Sequence, residues 1–347
     1  LSGCFDQELS GNKRVVFLTR VLMAGLLFWF FSGRLALIDV TLVLFLALLV
    51  WSTLLFYRTQ QWRYILTAGV SFGLALWTKI PAILGASLLL ITYIPAFQHT
   101  TQETWPKLKK LLLAQVVVVL TGLLLFGLLK LHPAFGQLFS RGGDFLLAPE
   151  QRTIELLLKN ILRNAKDFGM VFSTYLTLSG LTIATSAVFL PKYRKTLLML
   201  FLAALGYCLP IMLLGKVVYA RYLLPAAFPL TLAIAFGLEN FIVSIQTVKQ
   251  IGKKFILSVF MALLLAHLVS ISSAFLLYAW INPNRLPLTK SDREQYLSEW
   301  SAGNGISETV TRIQEASKNK RLLVLTEGYF GTLPDGILLY LHRQPVT

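Results

Sequence analysis

Eight stretches of this chain run for nineteen residues or more with one charge or none. Residues 80–102, 111–129, 168–191, 196–215 and 255–284 carry no charge. Residues 15–33 carry only Arg20, residues 35–57 only Asp39, and residues 222–248 only Glu239. About 20 apolar residues cross a hydrocarbon core of about 30 Å, so each stretch is long enough to span a membrane. The rest of the composition agrees. Of 347 residues 56% are hydrophobic and 14% charged, where a soluble domain carries about 25% charged residues. Mean hydropathy is +0.67. Such a chain is not disordered, not a nucleic-acid-binding domain and not an ordinary soluble enzyme.

Adding the shorter apolar run 64–78, we expect nine spans, at about 15–33, 36–56, 64–78, 81–97, 111–130, 170–190, 196–214, 222–245 and 255–280. The resulting fold class is an all-α polytopic helical bundle. The connections alternate in charge. Lys13-Arg14, Arg58 with Arg63, Lys107 with Lys109-Lys110, Lys192 with Arg194-Lys195, and Lys249 with Lys253-Lys254 hold 13 of the 32 Lys and Arg. Basic residues concentrate in cytoplasmic loops, so this set reads as cytoplasmic and orients a multi-pass protein of the cell membrane. Trp62 and Trp105 stand beside it, where interfacial aromatics belong. The net charge of +16 is then mainly a topological signal.

Two segments lie outside this pattern. Between residues 131 and 169, Ser140-Arg141-Gly142-Gly143-Asp144 reads as a loop. After it, Ile154, Leu157, Leu158, Ile161 and Leu162 recur at helical spacing among Arg152, Glu155, Lys159, Arg163 and Lys166. That pattern predicts an amphipathic helix on the outer interface. Residues 281–347 hold 8 Lys and Arg against 7 Asp and Glu. A helix at Glu308–Ser317, a short strand at Arg321–Thr326, a turn at Glu327–Gly331 and a helix or strand at Ile337–His342 predict the start of a small extracytoplasmic α/β domain. The expected domains are therefore 1–280 in the membrane and 281–347 outside it. The chain starts at Leu1 rather than Met and stops abruptly at Thr347, and is expected to be a fragment lacking its N-terminal part. Cys4 and Cys208 give no disulfide framework, and His99, His132, His267 and His342 have no metal-ligand spacing.

The charges on the outer side are the candidates for chemistry, since a charge at membrane depth is costly and functional by default. Arg34-Leu-Ala-Leu-Ile-Asp39 opens a span. Asp39 fits either a helix N-terminal carboxylate beside a snorkelling Arg34 or an acid that activates an acceptor or holds a metal. Lys79, in Thr78-Lys79-Ile80-Pro81, fits an interfacial lysine or a ligand for a lipid phosphate. Lys216-Val-Val-Tyr219-Ala-Arg221-Tyr222-Leu-Leu-Pro225 places two cations among two tyrosines, either an aromatic belt or a phosphate grip. Arg141 with Asp144 fits a lid or a plain turn. Glu239 is expected to pair with Lys249 or Arg194, and His267 to be a hydrogen-bonded bundle residue.

Three of these stretches, taken in order, resemble a family. Ser32-Gly-Arg34-Leu-Ala-Leu-Ile-Asp39 is similar to the second acidic motif of the GT-C glycosyltransferases, in particular the bacterial family-39-like group related to protein O-mannosyltransferases and the lipid A aminoarabinose transferase. Ala68-Gly-Val-Ser-Phe-Gly-Leu-Ala-Leu-Trp-Thr-Lys79-Ile-Pro81 resembles the family's GxxxGLAxLTKxP helix end. Ala220-Arg221-Tyr222-Leu-Leu-Pro225, followed by Pro229, resembles its late tyrosine–proline motif. The resemblance covers about residues 11–280 and implies transfer of a sugar from a polyprenyl phosphate, outside the membrane and with inversion, to an acceptor on protein or lipid. It implies that Lys79, Arg221, Tyr222 and Lys216 hold the donor phosphate. Asp39 would be a catalytic carboxylate or a ligand for a divalent cation, Mg or Mn. Arg34, Tyr219, Arg141 and Asp144 complete the candidate set. The family's principal acid sits in an outer loop before the part present here, and Asp6 and Glu8 do not replace it. The implied partners are the bilayer, the lipid-linked sugar and its acceptor. The competing expectation is a transporter or flippase, or a scaffold, for an anionic lipid-linked substrate, although the spans hold almost no midplane charge.

Overall fold

The computed structural model describes residues 9, 11–35, 37–98, 104–140, 145–298, 302–303, 305–318, 321–326 and 332–342. The chain divides into two compact units, one up to Ala274 and one from Phe275 onward. The main helices are α1 (Lys13–Gly25), α2 (Leu27–Arg34), α3 (Ile38–Thr59), α4 (Arg63–Thr78), α5 (Thr104–Gly127), α6 (Ile154–Tyr175), α7 (Leu178–Ser186), α8 (Arg194–Leu214), α9 (Leu224–Thr247), α10 (Ile251–Ile281), α11 (Ile306–Ser317) and α12 (Thr332–Leu341). Between α4 and α5 a 3-10 helix, Ile80–Tyr93, runs into one α-helical turn, Ile94–Gln98.

Among the described residues six helical segments are long and apolar enough to cross a membrane, and up to eight if each of the two bent pairs counts as one. The protein is thus a multi-pass membrane protein, but the nine expected spans are not all present as such. Run 64–78 forms α4, whose 16 residues reach only about 24 Å at 1.5 Å per residue. The first expected span is broken into α1 and α2, bent by 52°. The expected interfacial helix and the span at 170–190 are not separate elements. α6 carries the amphipathic segment straight into the apolar one, and the chain then turns by 103° into α7. Thr177 makes that turn with φ of 64°, and its hydroxyl accepts from the Gly180 amide to start α7.

The 3-10 helix follows from its sequence. Residues three apart eclipse on such a helix, and Ala82, Gly85, Leu88 and Ile91 form its buried stripe. The rise of about 2 Å per residue stretches its 14 residues to about 28 Å, so a short segment still covers the hydrocarbon. Ser87 donates to the Leu84 carbonyl and Thr92 to the Leu89 carbonyl, three residues back in each case.

α9 is the central element, buried without interruption from Leu224 to Phe241, as a helix apolar on all sides should be. It packs against α8, α7 and α1. Asn240 donates to the carbonyls of Ala187 and Leu190 at 3.0 and 3.2 Å, and Trp29 donates to Thr231 at 2.9 Å. α4 packs between α3 and α5. The outer helices turn large apolar side chains outward, among them Leu112, Leu113, Val116, Leu120 and Leu124 on α5 and Phe255, Ile256 and Leu263 on α10, as lipid-facing helices do.

In the second unit Ile306, Val310, Ile337 and Leu341 form a small core joining α11 to α12. The expected helices at 308–317 and 337–342 are there. The expected strand is not: among residues 321–326 only Leu322 forms a single β-bridge, and no strand is formed. The expected turn at 327–331 lies outside the described residues.

Small residues set the α4–α5 contact. A Cβ at Gly73 would lie 2.7 Å from Leu125 Cβ, and one at Gly122 would lie 2.4 Å from the Phe72 ring. Without a hydrophobic drive between helices in lipid, close backbone approach through small residues holds them together. Gly73→Val should therefore destabilise the bundle by about 1–3 kcal/mol. Gly127→Ala, whose Cβ would meet open space, should be neutral or slightly stabilising. Thermal unfolding in detergent checks both.

Candidate functional site

The hairpin of α3 and α4 builds the first half of the site by arithmetic. The turn is at Gln60, which caps α3 in the left-handed conformation. Asp39 is 21 residues before it and Lys79 is 19 after it. At 1.5 Å per residue the two lie at nearly the same height, about 30 Å from the turn. Lys79 Nζ donates to Asp39 Oδ1 at 2.7 Å. Asp39 is 3% exposed and occupies the first turn of α3, where the helix dipole also favours a negative charge. Lys79 is the extended residue that closes α4, its amide donating to the Ala75 carbonyl at 3.0 Å. Burial is the largest influence on the ammonium and pushes its pKa below the ordinary lysine value. Asp39 opposes this, and the nearby Arg221 charge adds to it.

The start of α9 supplies the second half. A 3-10 turn, Ala220–Leu223, precedes it, and Pro225 occupies the first helical turn, where its missing N–H costs nothing. Lys79 Nζ stands 4.5 Å above the Tyr222 ring. The Arg221 guanidinium lies 5.3 Å from the Tyr219 ring and 5.6 Å from the Tyr222 ring. The two tyrosines meet edge to face at 5.5 Å, and Phe145 meets Tyr222 edge to face at 6.4 Å. Cations stacked on aromatic faces are held in place by the ring quadrupole. Asp39, Lys79 and Arg221 together carry one net positive charge, which suits an anionic ligand.

A further group of residues, not legible in the charge pattern, holds this turn. α8 ends at Leu214, and its last carbonyls have no partner within the helix. Asn160 and Asn164, one turn apart on α6 and nearly fully buried, reach them. Asn160 donates to the carbonyls of Leu213 and Gly215, both at 3.1 Å. Asn164 approaches those of Ile211, Met212 and Gly215 at 3.3, 3.0 and 3.0 Å. Arg163 Nη2 donates to Gly215 and Lys216 at 2.9 and 3.0 Å. The segment at 145–147 completes the arrangement as an isolated antiparallel bridge, Leu146 to Gly215. Leu147 N donates to the Leu214 carbonyl and Lys216 N to the Phe145 carbonyl. Of the apolar stripe expected to lie on an interface, Ile154, Leu158 and Leu162 are exposed, and the face packed on the protein is Asn160, Asn164, Phe168, Val171 and Tyr175. A run of Asn and aromatic residues four and three apart was the available signal.

The other candidates fall as follows. Arg34 lies over the Phe30 ring at 4.0 Å, and the ion pair of Asp39 is with Lys79. Lys216 enters through its backbone. Arg141 and Asp144 lie outside the described residues. Among the described residues no group of three or more His, Cys, Asp or Glu could hold a metal. Glu239 is paired, but with neither Lys249 nor Arg194. Asn12 donates to its Oε1 at 2.8 Å and Lys192 Nζ stands 3.7 Å away, because α1 and the turn before α8 meet α9 at that level. His267 is within hydrogen-bonding distance of Ser179, at 3.0 Å, as expected for a bundle residue.

A family model described as dolichyl-phosphate-mannose-protein mannosyltransferase matches residues 8–124. That is about a third of the chain, and it contains Arg34, Asp39 and Lys79 but not Arg221. No curated protein and no solved structure matches the chain.

Breaking a buried ion pair from one side costs about 3–5 kcal/mol, because the other charge is left alone. Asp39→Asn and Lys79→Met should each lower the unfolding temperature in detergent. The double variant should lose much less than the sum of the two. Additive losses would mean that the pair is not coupled.

Proposed function

We propose that this protein is a membrane glycosyltransferase. It moves a sugar from a polyprenyl-phosphate-linked donor to an acceptor hydroxyl or amine, on protein or lipid, at the extracytoplasmic face and with inversion. The observation that carries the proposal is the meeting of Lys79 and Arg221, from elements some 140 residues apart in sequence, around a Tyr222 ring. The family match over residues 8–124 supports the reaction class. Its description names mannose and a protein acceptor, so these are the first donor and acceptor to try.

In the proposed reaction the acceptor attacks the anomeric carbon as the bond to the phosphate oxygen breaks. The phosphate leaves with the electron pair, and its charge rises in the transition state. Lys79 and Arg221 answer that rise, and fixed cations aimed at developing charge are the usual source of the largest rate term. The Tyr222 hydroxyl is the neutral donor beside them. Asp39, engaged with Lys79, holds the ammonium in place. The acceptor's proton goes to a carboxylate base, which the family resemblance puts in an earlier outer loop.

The test is transfer by full-length protein in liposomes, from polyprenyl phosphate mannose to an acceptor peptide. Lys79→Ala and Arg221→Gln should each cost about 10²–10³ in rate, the usual loss for one stabilising donor. Wild-type rates in both would refute the assignment, and lipid movement without glycosyl product would favour transport. The pH profile gives a separate check. A lysine whose pKa is lowered loses its proton earlier as pH rises, so activity should fall on the alkaline side below the ordinary lysine value of about 10.4. Lys79→Arg, always charged, should move that limb upward.

A further inference from the structure

We infer that Asn164, with Asn160 and Arg163, is a positioning device for the donor-phosphate site, acting through the backbone of Gly215 and Lys216. This inference rests on the proposed function for its kinetic readout, but its structural content does not. The turn that carries Tyr219, Arg221 and Tyr222 has one fixed end in α9. Its other end is the C-terminus of α8, where carbonyls at Met212, Leu213 and Gly215 would otherwise lie buried without a partner. Gly215 O is the convergence point. It receives Asn160 Nδ2 at 3.1 Å, Asn164 Nδ2 at 3.0 Å and Arg163 Nη2 at 2.9 Å. Arg163 Nε donates to Asn164 Oδ1 at 3.2 Å, which fixes the amide orientation and turns the nitrogen of Asn164 toward the carbonyls.

Arg221 is six positions after Gly215, so a displaced Gly215 displaces the guanidinium. The same anchor fixes Phe145. Lys216 N donates to the Phe145 carbonyl at 2.8 Å, and the Phe145 ring meets Tyr222. The Phe145 contact of the Tyr222 ring is thus tied to the same carbonyl cluster. α6 does not touch the reacting groups in this scheme. It determines where they stand. A backbone displacement of about 1 Å at such a site costs about 10²-fold in rate. The loss falls on kcat, because it is the charge of the departing phosphate that needs the aligned cation, while the ground-state donor binds through its lipid as well.

The experiment uses the full-length protein in nanodiscs with two variants. Asn164→Asp is isosteric but has no N–H to give, and Arg163→Gln sits at the exposed edge of α6 and is the milder change should the first not fold. Each is measured for transfer, and each is combined with Phe145→Cys and Lys216→Cys to follow the rate of disulfide cross-linking across the bridge. The expected result is a fall in kcat, about 10²-fold for Asn164→Asp and smaller for Arg163→Gln, with donor KM little changed and cross-linking slowed in both. Arg163→Lys, which still offers a donor to Gly215, should stay near wild type. Wild-type kcat and cross-linking in both variants would overturn the inference, as would a loss confined to KM. Cross-linking needs no turnover. If the parent protein cross-links but transfers no sugar, the functional reading fails while the clamp stands.

Discussion

The Lys79–Asp39 ion pair is the interaction on which this arrangement turns. Two charges at the end of a membrane bundle are expensive alone and tolerable together. Their pairing fixes the register of α3 against α4, since a slip of either helix by one residue would carry the ammonium past the carboxylate. It also determines where the ammonium points. Held at 2.7 Å by Asp39, the same nitrogen lies over the Tyr222 ring at the head of α9. The pair therefore joins a local hairpin to the most buried helix of the protein.

The two ends of the bundle are built on different principles. At the far end, where the basic connections gather, Glu239 is closed in by Asn12 and Lys192. A carboxylate there is matched by a cation and an amide, as a structural latch requires. At the site end two cations meet one carboxylate, and aromatic faces support them beside the Lys79–Asp39 pair. Between these ends the chain satisfies its backbone by unusual means: a 3-10 stretch with Ser and Thr bonds, a Thr-capped break, and the asparagine clamp on α8. Each answers the requirement that no peptide group in lipid be left without a partner.

Much of the site was legible in the sequence because charge is conspicuous in an apolar chain. Asp39, Lys79 and Arg221 stood out as isolated charges on the side opposite the basic loops, and the near-equal arm lengths about Gln60 bring the first two to one level. The asparagines did not stand out, because their partners are carbonyl oxygens, which leave no trace in side-chain patterns. The partner of Glu239 was missed for a related reason. Lys249 is near in sequence and Arg194 shares a basic segment with Lys192, but Asn12 and Lys192 are the neighbours in space. The span count failed where length and conformation separate. α4 is apolar yet short, the segment after it is extended by 3-10 winding, and α6 joins two segments that composition divides. In the second unit, the run Leu322 to Leu325 looked like a buried strand by composition, but no strand forms among the described residues.

The central claim is that Lys79 and Arg221 together receive the phosphate of a lipid-linked donor. It is tested most directly by a cryo-electron microscopy structure of the full-length protein with a polyprenyl phosphate bound. The account predicts phosphate density within hydrogen-bonding distance of both Lys79 Nζ and the Arg221 guanidinium, beside the Tyr222 hydroxyl. A phosphate bound elsewhere, with the Lys79–Asp39 pair undisturbed and Arg221 still on its tyrosines, would contradict it.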